Sequence, residues 1–217
     1  MTSKLRSAPR TRNRLVSFAG PGFEKWLKYR QERKADRFDE VWNGVYVVMP
    51  PANNEHQELV GDFTFAFKSA LISILNARVF PGCNISDDTV DWAQNFRCPD
   101  VAVFLAGNPA EDRHTHWLGG PDFAVEIVSK YDRSREKFGF YAKTGVREVM
   151  FIDRQPEWSL ELFRRDGADW LLVGKLSPGS ADSVASSVLP VSFRLLDGQP
   201  RPRIEVTRAS DGQSWLA

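Results

Sequence analysis

The chain has 217 residues, 42% hydrophobic and 26% charged, the make-up of an ordinary globular protein long enough for one ample core. No apolar run approaches the ~20 residues that span a bilayer, and the basic, acid-free start, followed by no apolar stretch of leader length, is not a convincing secretory signal; a basic arm is the plainer reading and a transit peptide the alternative. The net charge is +1, yet Lys4, Arg6, Arg10, Arg12 and Arg14 stand in the first fourteen residues without a single acid, which leaves everything after them at −4 and argues against broad, non-specific DNA binding by the body.

Residues 1–17 read as a flexible basic arm, and 18–217 as a single domain with a C-terminal extension. A short helix is expected over Phe23–Arg33, where Phe23, Trp26, Leu27 and Arg30 share a face. Val41–Val48 reads as two strands turned at Asn43-Gly44, a strong hairpin signal, and Pro50-Pro51 ends them. The clearest helix follows, with Leu59, Phe63, Phe67, Ala70, Leu71 and Ile74 recurring every three or four residues and Asn53 or Asn54 as its cap. Val79–Ile85 and Thr89–Trp92 look like short strands, and Asp100–Leu105 is a firmer one. A polar loop is expected from Ala106 to Pro121. Phe123–Ser129 is nearly all apolar, as a strand covered on both faces would be. Asp132–Lys143 reads as a helix stopped at Gly145, and Glu148–Ile152 as a strand. Trp158–Arg164 and Asp169–Val173 form a hairpin across Asp166-Gly167. The remainder, to Ala217, holds only short apolar pieces such as Val188–Leu196. The order strand, strand, helix, strand in the middle predicts an α/β sheet flanked by helices.

The chemistry concentrates in two carboxylates. Asp100 opens one apolar strand and Glu126 sits inside another, where a charge is costly unless something pairs with it. Two carboxylates on neighbouring strands suit a hard divalent cation, Mg²⁺ or Mn²⁺. Strand alternation places Glu126 with small Ala124 and Val128, opposite Phe123, Val125 and Ile127. Lys137 lies one helical turn before Tyr141, and its long stem could reach back across the sheet while keeping the ammonium in a polar cleft. An acid pair with a lysine answers the needs of phosphodiester hydrolysis, which must offset phosphate charge and orient water.

Other signals are weaker. His114-x-His116 lacks further zinc ligands and reads as loop surface. His56 reads as structural, or as part of a cleft rim. Asp87, Asp88 and Asp91 read as turn and strand edge, and no phosphate loop, nucleophile elbow or dinucleotide fingerprint is present. Cys83 and Cys98 fall in no metal or redox spacing, so reduced, buried thiols in a cytoplasmic protein are expected, a disulfide between them being the alternative.

Pro99-Asp100, Phe123-Ala-Val-Glu-Ile-Val-Ser129, Lys137, Tyr141, Gly145-Val146, Glu148 and Phe151-Ile-Asp153 together resemble the Uma-type putative restriction endonuclease family, with Glu40, Gly44, Pro51 and His56 matching upstream. The resemblance spans roughly Phe23 to Val173. It implies a restriction-endonuclease-like mixed central sheet flanked by helices, and a metal-dependent endonuclease acting on DNA. It also implies that Asp100, Glu126 and the Ile127 carbonyl hold the metal. The usual strand lysine, replaced here by Val128, would have moved to Lys137, with Glu40 as an additional acid. Lys130 shares the face of Glu126 and is the competing lysine. Arg133 stands where the family has an acid and Met150 where it has tryptophan, which keeps open an inactive relative that binds nucleic acid or a protein. Family habit adds a homodimer, which would suit cutting both strands of a duplex.

Overall fold

The computed structural model describes residues 21–49, 51–129 and 133–217. The expected basic arm, Lys130 and the start of the Asp132 helix lie outside these residues.

The chain opens with α1 (Pro21–Glu32), then the hairpin β1 (Glu40–Trp42) and β2 (Val45–Val47). Asn43 and Gly44 carry φ of 50° and 80°, the paired positive angles of the tight turn that the sequence predicts. Helix α2 (Asn54–Leu75) is capped by the Asn53 side chain, which accepts from the His56 N–H at 2.9 Å. Next come β3 (Arg78–Pro81), β4 (Ile85–Ser86), β5 (Phe96–Arg97), β6 (Val101–Phe104), β7 (Glu111–Asp112), β8 (Trp117–Leu118) and β9 (Phe123–Val128). A 3-10 turn over Ser134–Lys137 leads into α3 (Phe138–Thr144), which Gly145 ends at φ 92°. The second half holds β10 (Glu148–Asp153), β11 (Ser159–Asp166), β12 (Asp169–Leu176), β13 (Val184–Ala185), β14 (Val191–Leu196), β15 (Arg203–Arg208) and β16 (Ser214–Leu216).

The central sheet runs β12-β11-β10-β9-β6-β3. Its β9–β10 pair is parallel, with Glu126 opposite Phe151, and α3 lies in the crossover between them. The remaining neighbours in this sheet are antiparallel. A second sheet, β2-β1-β5-β4-β8-β7, carries the first hairpin, and a third, β13-β14-β15-β16, closes the chain.

Alternation along β9 sorts the core into two layers. Phe123, Val125 and Ile127 face α2 and the third sheet, where Phe67, Phe123 and Phe193 meet with ring centroids 5.7–6.3 Å apart. Ala124 faces the other way, toward Phe140 and Tyr141 of α3 and Ile85 and Trp117 of the second sheet. Each fully buried large side chain of this kind contributes about 1.5–3 kcal/mol, so the layers on either side of β9 hold that strand rigidly. Glu126 belongs to the α3 layer.

Four expectations need correction. Thr89–Trp92 is no strand, because the Asp88 carboxylate accepts from the Val90 and Asp91 N–H groups at 2.7 and 3.1 Å and curls the backbone. The loop from Ala106 to Pro121 contains β7 and β8, whose Trp117 is buried and stacked on Phe104 at 3.9 Å. Ile74 is exposed, because Leu75, four residues after Leu71, takes the inward position instead. The segment after residue 176 builds the third sheet, tied to the central one by buried Glu148, which accepts from Arg164, Ser186 and Ser187. Cys83 and Cys98 are free thiols.

Candidate active site

Four separate segments deliver the site. The hairpin brings Glu40, the bend before β6 brings Asp100, the middle of β9 brings Glu126, and the 3-10 turn before α3 brings Lys137. Lys137 is thus not on the α-helix proper but at its threshold, which aims its stem into the sheet. Its Nζ donates to both Glu126 oxygens at 2.9 and 3.0 Å and lies 3.0 Å from Glu40 Oε1. Tyr141, one turn further on, donates its O–H to Glu126 Oε1. Glu40 is held in turn by the Trp42 indole N–H at 2.6 Å and the Cys98 backbone N–H at 2.8 Å. Glu40, Glu126 and Lys137 are 1%, 2% and 3% exposed, so all three charges sit in low dielectric.

Asp100 stands at the more open end of the group. Its Oδ2 accepts from the Ile127 N–H at 2.7 Å, and its Oδ1 lies 3.1 Å from His56 Nε2. The backbone-capping role that a carboxylate after proline can take is therefore filled, without removing Asp100 from the cleft. His56 Nδ1 is buried and has no hydrogen-bond partner among the described residues, leaving one unmet polar atom beside Asp100.

The electrostatics follow from burial. Burial first, then the Asp100 and Glu40 charges, push the Glu126 carboxyl up to about 8 against the opposing pull of Lys137. Burial works to lower the lysine, but Glu126, Glu40 and Asp100 outweigh it and hold the ammonium above its ordinary value. Burial, then Glu126, raises the Tyr141 hydroxyl, which stays protonated as a donor. Three carboxylates thus face one ammonium. When all are ionised the group is short of positive charge, which is the electrostatic demand of a cation site.

The group floors a cleft of about 320 Å³ whose walls include Phe38, Met49, Ala52, Val60 and Pro81. Ile127 also lines it, on the part of β9 that runs beyond its pairing with β6, where its N–H donates to Asp100. Asp100, Glu126 and the Ile127 carbonyl offer hard oxygen donors of the kind Mg²⁺ or Mn²⁺ takes. Among the described residues, however, no group of three or more His, Cys, Asp or Glu side chains is arranged to enclose a metal ion. The Glu126 oxygens accept from Lys137 and Tyr141 instead. The donor chemistry is of the kind that suits a divalent cation, and in this structure the Lys137 ammonium supplies the positive charge beside Glu126 and Glu40.

All four side chains named from the sequence, and Ile127, therefore converge. Missed were Tyr141 as a partner of Glu126, although its spacing of four from Lys137 put both on one face, and Trp42, two residues along the strand from Glu40. His56 meets Asp100 at the cleft wall, as the rim alternative allowed. His114 and His116 lie away from the site, with His116 stacked on Trp92 at 4.6 Å.

The family model described as "Putative restriction endonuclease" (Uma2) matches residues 23–196. The chain belongs to this family. Among solved structures, a putative nuclease of the DUF820 group from Anabaena variabilis is similar, with a TM-score of 0.51 and 18% identity over 62% of this chain and 75% of that one. That likeness is one of fold, and it bears out the restriction-endonuclease-like sheet expected for this Uma2 member. No curated protein matches the chain.

Proposed function

We propose that this Uma2 chain is a Mg²⁺- or Mn²⁺-dependent endonuclease that hydrolyses phosphodiester bonds in DNA. The observation that carries the reading is the convergence of Glu40, Asp100, Glu126 and Lys137, from four segments, on the floor of one cleft. Buried charges in such number are destabilising for a fold and are kept where chemistry needs them.

Hydrolysis joins a water oxygen to phosphorus, breaks one P–O ester bond and returns a proton to the departing oxygen. Asp100, Glu126 and the Ile127 carbonyl would hold the cation, which supplies positive charge against the phosphate oxygens. Lys137 would direct its N–H groups at the incoming water or a phosphate oxygen. Glu40, 3.0 Å from Nζ, would keep the ammonium in reach. Tyr141 would fix the Glu126 rotamer through its hydroxyl. The test is cleavage of labelled DNA, offered both as duplex and as single strand, in Mg²⁺ or Mn²⁺ against EDTA. Metal-dependent cleavage abolished by Glu126→Ala and by Asp100→Ala is the expected result.

One observation favours a second reading, a nuclease-fold protein that binds nucleic acid or a protein without cutting. Lys137 closes the Glu126 carboxylate with two hydrogen bonds, so both Glu126 oxygens have a partner without a metal. Calorimetry separates the two: the inactive relative takes up no Mn²⁺, and the enzyme takes up Mn²⁺ in a manner lost with Glu126→Ala.

A further inference from the structure

We propose that the DNA reaches this site unpaired, as a single strand threaded into the cleft with a base resting on Phe38. The inference rests on the nuclease reading above and narrows its substrate. Its first support is depth. Glu40, Glu126 and Lys137 are 1–3% exposed, at the floor of a cleft of about 320 Å³, with Asp100 at its more open end. That volume lies at the small end of ordinary small-molecule pockets, roughly 300–1,000 Å³, and suits one nucleotide. A paired strand keeps its phosphates on the outside of a stiff cylinder whose grooves are about 6 and 12 Å wide. An unpaired strand can turn its backbone torsions and carry one phosphate inward, without the unstacking that extrusion from a duplex demands.

The second support is the wall. Phe38 is 39% exposed and lines the cleft beside the site. Its edge lies against Gly82, at φ 61°, where an added Cβ would stand 3.1 Å from the ring. A side chain at position 82 would crowd the ring, so glycine there leaves the Phe38 edge its place beside the cleft. The Arg37 guanidinium sits 5.2 Å from the ring centroid and also lines the cleft, close enough to meet the phosphate of a base stacked there. Aromatic platforms beside a cationic group are how proteins hold single strands without reading sequence.

The third support is charge. Duplex binders that rely on six to ten phosphate contacts need many cations on the body. Here five of the positive charges behind the net +1 lie in the first fourteen residues, so the rest of the chain is net negative, at −4. A short, stacked contact at one cleft is compatible with such a body, and a broad duplex track is not.

The experiment compares one oligonucleotide of about 30 residues, end-labelled, as a single strand and as a blunt duplex, with the full chain in Mn²⁺ and in Mg²⁺. Expected is a kcat/KM at least about tenfold higher on the single strand. Phe38→Ala should weaken single-strand binding about five- to hundredfold, with the larger change in KM than in kcat, and Phe38→Trp should restore it. A duplex cut as fast as the single strand, or single-strand binding indifferent to Phe38→Ala, overturns the inference and leaves the nuclease reading standing. Cleavage of neither form with either cation overturns both.

Discussion

Replacing Lys137 with methionine keeps most of the side-chain volume and removes the ammonium. The change leaves Glu126 and Glu40, 2% and 1% exposed, without the group that now stands 2.9–3.0 Å from each. Glu126 is already raised to about 8 with Lys137 in place, and without that opposing charge it rises further. Breaking a buried pair on one side costs about 3–5 kcal/mol. For a chain of this length each kcal/mol moves the melting temperature by about 2–4 °C, so Lys137→Met should melt roughly 6–20 °C below the parent in EDTA. Adding Mn²⁺ should then return more stability to the variant than to the parent, because the cation no longer competes with an ammonium for the same oxygens. At a hundred times its Kd a ligand adds about 2.7 kcal/mol, enough to recover a large share of the loss. Differential scanning fluorimetry with and without Mn²⁺ measures both shifts. A variant that melts with the parent in EDTA would refute the buried pair, and a parent stabilised more than the variant by Mn²⁺ would refute the idea that lysine and cation share a place.

Three further outcomes follow from the same geometry. In the metal-free protein the raised Glu126 carboxyl contributes stability that is complete below its ordinary value of about 4.5 and is lost as pH rises through about 8. The parent should therefore lose stability in urea relative to Glu126→Gln between about pH 5 and 8.5, by on the order of a few kcal/mol; a difference flat in pH would sink the claim. Glu148→Ala removes the acceptor of Arg164, Ser186 and Ser187 and should cost about 1.5–3 kcal/mol. Hydrogen exchange should then speed up at β13 and β14 before it does at β9, and uniform loss of protection would count against a local strut. Cys83 and Cys98 are partly exposed, but desolvation pushes the Cys83 thiol up to about 12 and raises Cys98 as well, so both should react with a thiol reagent at pH 8 more slowly than after urea unfolds the chain; equal rates would count against the raised thiols.

Much of the site was legible because its parts obey short-range rules. Alternation on β9 separated Glu126 from Phe123, Val125 and Ile127, and the two core layers follow that division. The Asn43-Gly44 turn and the Asn53 cap depend on local backbone preference alone, and both stand where the sequence puts them. What escaped depends on distant pairing. The third sheet is built from short strands that are stabilised by packing Phe193 against both Phe67 of α2 and Phe123 of the central sheet. β7 and β8 are two residues each and owe their pairing to β4 rather than to any pattern of their own. The closing of Glu126 by Lys137 was also beyond reach, because a reachable stem does not say whether its ammonium will meet a carboxylate or point past it.

The register of the first hairpin has a consequence of its own. Glu40 faces Val47, Val41 faces Tyr46 and Trp42 faces Val45, an arrangement counted out from a two-residue turn. A slip by one residue would exchange inward and outward positions along β1, presenting Val41 to Lys137 and turning Glu40 away. The cleft would then lose a negative charge although no ionisable residue had been altered. Turn length at Asn43-Gly44, just beyond Glu40 on the same hairpin, thereby acts as a dial on the electric potential at the cleft floor, and a single inserted glycine would be an electrostatic mutation.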